Sequence, residues 1–363
     1  MKKTNLGYFF NKLIPRKKHH PFTGHIELTY HCNLKCIHCY CKGSENKEKE
    51  LKTFEWKQIF DELHKEGCIY LTLSGGDPFI RKDFLELYSY IKKKAFLVNI
   101  FTNATAVTSQ VFDYLAKSPP HSIEVTLNGI TRSTYEQITQ VEGSFSRVMR
   151  GLKEIKKRNL PLTLKSNCLK QNKLEVTKIK EFTDEFLGKK NHRYHFQYDA
   201  MIYPRINGDR EPLKFRLSFR ELSKLRREDP DIWEEYQQHL HAPAGLERRR
   251  DSLYHCNTWL TNFFINPYGR LKFCQFSDKF SVDLKGTSFK EGFYKVFPQT
   301  LKEKFKGNSK CRDCRLRPVC HNCPARAYLE TGDEEAPVPY FCTLAKETAE
   351  EIAKFRNQNN YPA

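Results

Sequence analysis

Residues 25–39 read HIELTYHCNLKCIHC, and this stretch decides the fold. Its first six residues form a β-like run rich in apolar and aromatic side chains. The run leads directly into Cys32-Asn-Leu-Lys-Cys36-Ile-His-Cys39, a C-x3-C-x2-C triplet. Three closely spaced thiolates on one loop can hold three corners of an iron–sulfur cubane and leave the fourth iron open. A structural zinc ion wants a fourth protein ligand, which His31 or His38 could provide. Ligand count alone favours neither metal.

Outward from this stretch, strand-like runs alternate with helical stretches to about residue 205. The strands read HIELTY (25–30), IYLTLS (69–74), LVNIFT (97–102), SIEVTL (122–127), LTLKSN (162–167) and YHFQYD (194–199). Helical periodicity marks Phe54–Glu66, Phe84–Lys93, Phe145–Lys157 and Leu174–Phe186. Such alternation implies βαβ units and a parallel sheet. Six repeats are too few for an eight-stranded barrel, so the expectation is an α/β fold with a partial (β/α)6 barrel. Its chemistry should collect at the C-terminal ends of the strands. The second strand ends there in Ser74-Gly75-Gly76-Asp77-Pro78. The position of the triplet, one βα unit before this turn, decides for iron–sulfur.

The triplet together with the Gly-Gly-Asp turn closely resembles the radical S-adenosylmethionine (radical SAM) superfamily. The resemblance implies a [4Fe–4S] radical SAM cluster on Cys32, Cys36 and Cys39, with S-adenosylmethionine chelating the open iron. It implies a 5′-deoxyadenosyl radical that abstracts a hydrogen atom from substrate. Gly75, Gly76 and Asp77 would accept the methionine ammonium, and His38 would pack near the adenine. Phe101-Thr102-Asn103 and Glu124-Val-Thr126-Leu-Asn128-Gly129 are similar to the third- and fourth-strand motifs that line the cofactor. Asn167, ending the fifth strand, matches another cofactor-side position. Family members often carry Asp where this chain has Asn128. Cys41 lies outside the triplet, and Cys68 and Cys168, beside apolar strands, read as small buried hydrophobes.

The chain is expected to divide into a basic extension (1–24), the radical SAM core (25–205), a charged bridge (206–250) and a cysteine-rich end (251–363) closed by a helix over Leu344–Phe355. That end carries Cys256, Cys274, the run Cys311-x2-Cys314-x5-Cys320-x2-Cys323, and Cys342. Alone, the run could be a zinc knuckle. Behind a radical SAM core it resembles the SPASM extension, which binds one or two auxiliary [4Fe–4S] clusters. That extension is typical of peptide-modifying enzymes such as the pyrroloquinoline-quinone peptide cyclase and the anaerobic sulfatase-maturating enzymes. The resemblance implies two auxiliary clusters. Cys311, Cys314, Cys320 and Cys342 would complete the outer one, while Cys256, Cys274 and Cys323 would hold the inner one, whose fourth position is expected to be open or taken by a non-cysteine ligand. Sulfatase-maturating enzymes carry Asp directly after the cysteine matching Cys274, where this chain has Gln275, which argues against that activity.

Composition limits the remaining choices. With 27 Phe, 18 Tyr and 3 Trp in 363 residues, the chain is no disordered polyelectrolyte. No apolar run approaches the ~20 residues of a membrane span, and the N-terminus lacks a small-residue cleavage site. A soluble, cytoplasmic protein without a membrane partner is expected. Thirteen cysteines in so long a chain, mostly clustered, indicate metal rather than disulfides. The net charge of +19 calls for an anionic partner. A zinc-stabilised nucleic-acid-binding protein would suit that charge but leave the strand-end Gly-Gly-Asp without purpose. The resemblance therefore implies a ribosomally made precursor peptide as substrate, cross-linked or oxidised after hydrogen abstraction, with a small-molecule dehydrogenase as the alternative. About 24 residues precede the first strand, too few for a fused peptide-recognition domain. A separate small recognition protein and an electron donor such as flavodoxin or ferredoxin are the further partners expected.

Overall fold

The first strand, β1 (Thr23–Thr29), buries every residue from Ile26 to Thr29. A strand covered on both faces belongs in the middle of a sheet, and β1 is parallel to both of its neighbours. The computed structural model describes residues 19–44, 49–188, 195–230, 233–234, 251–256 and 258–358. The extension through residue 18 and most of the bridge after residue 230 lie outside the described residues.

On one side of β1 follow β2 (Tyr70–Gly75), β3 (Leu97–Thr102), β4 (Ser122–Thr126), β5 (Leu162–Asn167) and β6 (Phe196–Asp199), each parallel to the one before. The crossovers are α1 (Thr53–Lys65), α2 (Phe84–Lys93), α3 (Ser109–Lys117), α4 (Arg132–Thr139), α5 (Ser144–Lys157) and α6 (Val176–Leu187). This is the six-unit partial barrel expected. The sequence reading leaves α3 and α4 unmarked. Both are short and depend on their caps, where Thr108 and Thr131 accept backbone N–H groups of the first turn. The core is formed where apolar strand residues such as Ile26, Leu73, Ile100 and Val125 meet Trp56, Phe60, Leu87 and Phe112 of the helices. Cys68 and Cys168 are buried in it.

On the other side of β1 the sheet continues. β7 (Asn262–Ile265) runs parallel to β1, then β8 (Arg270–Lys272) and β9 (Val282–Asp283) turn back antiparallel, giving one nine-stranded sheet. The sequence reading marks no strands in this cysteine-rich end. Strands of two to four residues are too short for their alternation to show. Three more helices matter below: α7 (Phe219–Glu228), α8 (Pro324–Thr331) and α9 (Pro339–Gln358). α9 starts five residues before the expected Leu344, at a proline suited to a first helical turn. Arg216, just before α7, grips α8: its Nη1 and Nη2 donate to the two carboxylate oxygens of Glu330 at 2.9 and 2.7 Å. No described helix is long and apolar enough to cross a membrane.

Candidate radical-cofactor site and cysteine cavity

A cavity of about 510 Å³ opens at the C-terminal ends of β1–β6, and Cys32, Cys36 and Cys39 all line it. The loop that carries them is pinned from below by α4. Lys35 donates its N–H to Thr139 O at 2.9 Å, and Ile37 donates to Ile138 O at 3.0 Å. Burial pushes the Cys32 thiol up to about 11 and Cys36 well above its ordinary value. A hydrogen bond with Cys41, 3.6 Å away, pulls Cys39 down to about 7. Three thiolates this close repel one another in a poorly solvated pocket, so the donor set suits a strongly cationic centre such as an iron–sulfur core.

The end of β2 lies directly against that loop, which only glycine allows. A Cβ on Gly75, where φ is +122°, would stand 2.0 Å from Thr29 O; one on Gly76 would stand 2.1 Å from His31 O. Ser74, Gly75 and Gly76 line the cavity. Asp77 does not. It is fully buried, and its carboxylate accepts from Thr102 Oγ1 at 2.7 Å, Asn103 N at 2.8 Å and Phe79 N at 3.0 Å. The Asp77 side chain is thus occupied within the fold, while Gly75 and Gly76 of the same motif line the cavity. A carboxylate leading into the turn at Pro78 is turned inward, where it fastens the ends of β2 and β3 together. Burial outweighs these hydrogen bonds and pushes its carboxyl up to about 6.

His38 is half-buried beside the thiols, and desolvation pulls it down to about 4, so its ring is neutral at physiological pH. Among the described residues its Nδ1 has no hydrogen-bond partner, while its Nε2 lies 3.4 Å from Asn128 Nδ2. An unsatisfied ring nitrogen on a cavity wall is where a ligand's polar edge fits. Asn128 Oδ1 accepts the Asn167 N–H at 2.8 Å, tying β4 to β5, and Thr126 and Asn167 complete that wall. Asn103 also faces the cavity, with its Nδ2 3.5 Å from Cys32 Sγ and 3.0 Å from Asn33 Oδ1. Asn103 therefore orients the thiol loop.

Several side chains here escaped the sequence reading. His25, Lys165, Gln197 and Asp199 line the cavity from strand positions. Polar residues recurring every second position in otherwise apolar strands are the signal that marks them. His25 Nε2 lies 2.6 Å from Ser74 Oγ, and burial lowers its basicity. Glu27, also on β1, is buried without facing the cavity. Its Oε1 accepts from Tyr40 Oη at 2.6 Å and Gln275 Nε2 at 2.9 Å, and its Oε2 from Tyr30 Oη at 2.9 Å. Tyr40 follows Cys39 and Gln275 follows Cys274, so one carboxylate joins two cysteine loops.

A second cavity, about 470 Å³, contains all seven C-terminal cysteines in its wall. They fall into two electrostatic sets. Cys342, Cys311 and Cys314 act on Cys320, whereas Cys323 and Cys256 act on Cys274. Burial pushes Cys274 up to about 12 and raises Cys311, Cys320 and Cys323. Among the described residues, no three His, Cys, Asp or Glu side chains converge closely enough for a single metal ion. The thiols are spread along the cavity wall. His255 is engaged with Arg317, and Asp278 forms an ion pair with Lys272 at 3.0 Å. Phe276 and Arg326 line both cavities.

A parallel partial barrel that brings a C-x3-C-x2-C loop against a Gly-Gly strand end is radical SAM architecture. The radical SAM superfamily matches residues 26–183, and this part of the chain belongs to it. Over 335 residues the chain is 26% identical to the AdoMet-dependent heme synthase of Methanosarcina barkeri (strain Fusaro / DSM 804), covering 86% of this chain and 94% of that protein. The mycofactocin maturase MftC of Mycolicibacterium smegmatis is 33% identical over 129 residues, which is 36% of this chain and 33% of the maturase. The chain thus matches about a third of that relative's length. SuiB of Streptococcus suis, solved bound to its precursor peptide SuiA, has the same fold: the TM-score is 0.69 over 93% of this chain and 80% of that one, at 17% identity.

Proposed function

We propose that this protein reductively cleaves S-adenosylmethionine and abstracts a hydrogen atom from a ribosomally made peptide, which is then cross-linked or oxidised. The observation that carries this reading is the meeting of Cys32, Cys36 and Cys39 with the Gly75–Gly76 strand end on one cavity wall. Cys32, Cys36 and Cys39 would hold a [4Fe–4S] cluster, which would supply the electron that opens the sulfonium of S-adenosylmethionine. The chain's own residues bind and orient. The Gly-Gly turn offers backbone at close range, His38 presents an unpaired ring nitrogen, and Thr126, Asn167 and Asn103 supply polar contacts around it. Asp77 acts from behind, by holding the turn in place.

The two thiol sets of the second cavity support two auxiliary clusters, an outer one on Cys311, Cys314, Cys320 and Cys342 and an inner one on Cys256, Cys274 and Cys323. The inner set is one thiol short of four, which leaves an iron for another ligand. Such clusters would carry away the electron released when the substrate radical is oxidised. Flavodoxin or ferredoxin would supply the electron that starts the reaction, and a separate small protein would present the peptide. The named peptide maturase and the fold of the peptide-bound SuiB favour a peptide. The near full-length match to a heme synthase favours a second reading, in which the substrate is a tetrapyrrole.

Anaerobically purified protein should carry roughly 10–12 iron atoms per chain. Replacing Cys32, Cys36 and Cys39 by Ala should remove about four of them and abolish 5′-deoxyadenosine formation under dithionite. Continued formation by that variant, or stoichiometric zinc with little iron after reconstitution, would refute the proposal.

A further inference from the structure

We infer that the radical-cofactor cavity takes a substrate bearing a carboxylate and that the Arg326 guanidinium holds it. This rests on the reading of that cavity as the substrate chamber. Apart from histidine and cysteine, the described residues of the wall include three charged side chains: Lys165, Asp199 and Arg326. Lys165 is committed, since it pairs with Glu124 and lies 3.7 Å over the Phe101 ring. Asp199 accepts the Met201 N–H at 2.8 Å, and burial raises its carboxyl, which weakens it as a counter-ion. Arg326 donates only to His321 O, at 3.3 Å, and forms no ion pair among the described residues.

Its guanidinium lies 4.2 Å over the Tyr203 ring. Contact with the ring face leaves most guanidinium N–H groups for a planar anion, which the arginine fork can bind through two donors where lysine cannot. A partly buried cation is costly, the Asp199 carboxyl and the Cys323 thiol near it are both raised by burial and so compensate it poorly, and a substrate carboxylate removes that cost. Position adds to this. Arg326 sits one turn after Cys323 and lines both cavities, so an anion on its fork lies where the two cysteine sites meet. The same helix carries Glu330, and the Arg216–Glu330 pair holds that face of α8 in place. The competing role is support of the Cys323 thiolate, which the nearby Arg326 charge favours.

The carboxylate can belong to an acidic or C-terminal residue of a peptide or to a propionate of a tetrapyrrole. Reconstituted holoenzyme loaded with S-adenosylmethionine should be titrated with two matched pairs of probes. One pair is acetyl-Ala-Glu-Ala-amide and its Gln counterpart; the other is Fe-coproporphyrin III and its tetramethyl ester. Binding is read by absorbance and by the electron paramagnetic resonance of the clusters, so turnover is not needed. At least one acid should bind ten-fold or more tightly than its neutral partner, and that pair identifies the source. Arg326→Gln should erase the preference at unchanged iron content. Should Arg326→Gln lose iron, Arg326→Lys becomes the reporter, since it keeps the charge beside Cys323 but not the fork. No acid preference in the wild type, or a preference that survives in the iron-replete variant, overturns the inference. Absence of 5′-deoxyadenosine under dithionite would instead strike the radical SAM reading and leave the binding result standing.

Discussion

Replacing Arg216 by Met tests how the cysteine-rich part is held over the barrel. Arg216 is buried, with its side chain 6% exposed against 13% for Glu330. Its two terminal nitrogens fill both Glu330 oxygens, its Nε donates to Ile202 O at 2.7 Å, and its face lies 4.4 Å over the Tyr340 ring. Methionine keeps most of the stem packing and removes the charge and all three donated hydrogen bonds. Glu330 then stays buried without its cation, a loss of about 3–5 kcal/mol. At roughly 2–4 °C per kcal/mol, the unfolding midpoint should fall by roughly 6–20 °C. The double variant Arg216→Met/Glu330→Met buries two apolar side chains instead and should recover to within about 2 kcal/mol of wild type. Thermal unfolding followed by two spectroscopic probes reads both effects. A single variant within 2 °C of wild type, or a double variant as unstable as the single one, would refute the reasoning.

Two further outcomes follow from the strand ends. Asp77, pushed up to about 6 by burial, lies above the ~3.9 of an unfolded aspartate, so its contribution is intact below about pH 4 and is lost as pH rises through about 6, a change of about 3 kcal/mol. Stability of the wild type relative to Asp77→Asn should fall by that much between pH 4 and 7, and parallel pH profiles would contradict the assignment. Gly76→Ala should abolish 5′-deoxyadenosine formation, because its Cβ meets the thiol loop's backbone at 2.1 Å, whereas Gly286→Ala, with nothing within 4 Å, should leave it unchanged. Equal activity in the two variants would show that the turn can move away.

The barrel was legible because each unit states its pattern over enough residues. β3, β5 and α2 fall within the bounds read from sequence, as each has an apolar run or face long enough to show its period. The thiol triplet was legible because a cluster site needs closely spaced donors on one loop. Asp77 shows the limit of that kind of reading. Its place in the motif marks it as important, but only the fold shows the carboxylate turned away from the cavity and filled by Thr102, Asn103 and Phe79.

The remaining site residues come together through one pairing that no local pattern announces. Glu27 and Gln275 are 248 positions apart, yet they meet because β7 lies alongside β1 in register from Thr23↔Asn262 to Ile26↔Ile265. That pairing brings the residue after Cys274 to the same carboxylate oxygen that the residue after Cys39 already occupies. The carboxylate is buried, so displacing either donor would leave it short of a hydrogen bond, at about 1–3 kcal/mol. The two cysteine loops are therefore fixed relative to one another by the sheet and by a single shared acceptor. Under the proposed function a substrate between the cavities would meet both sites at a set separation, as abstraction at one and electron removal at the other would require.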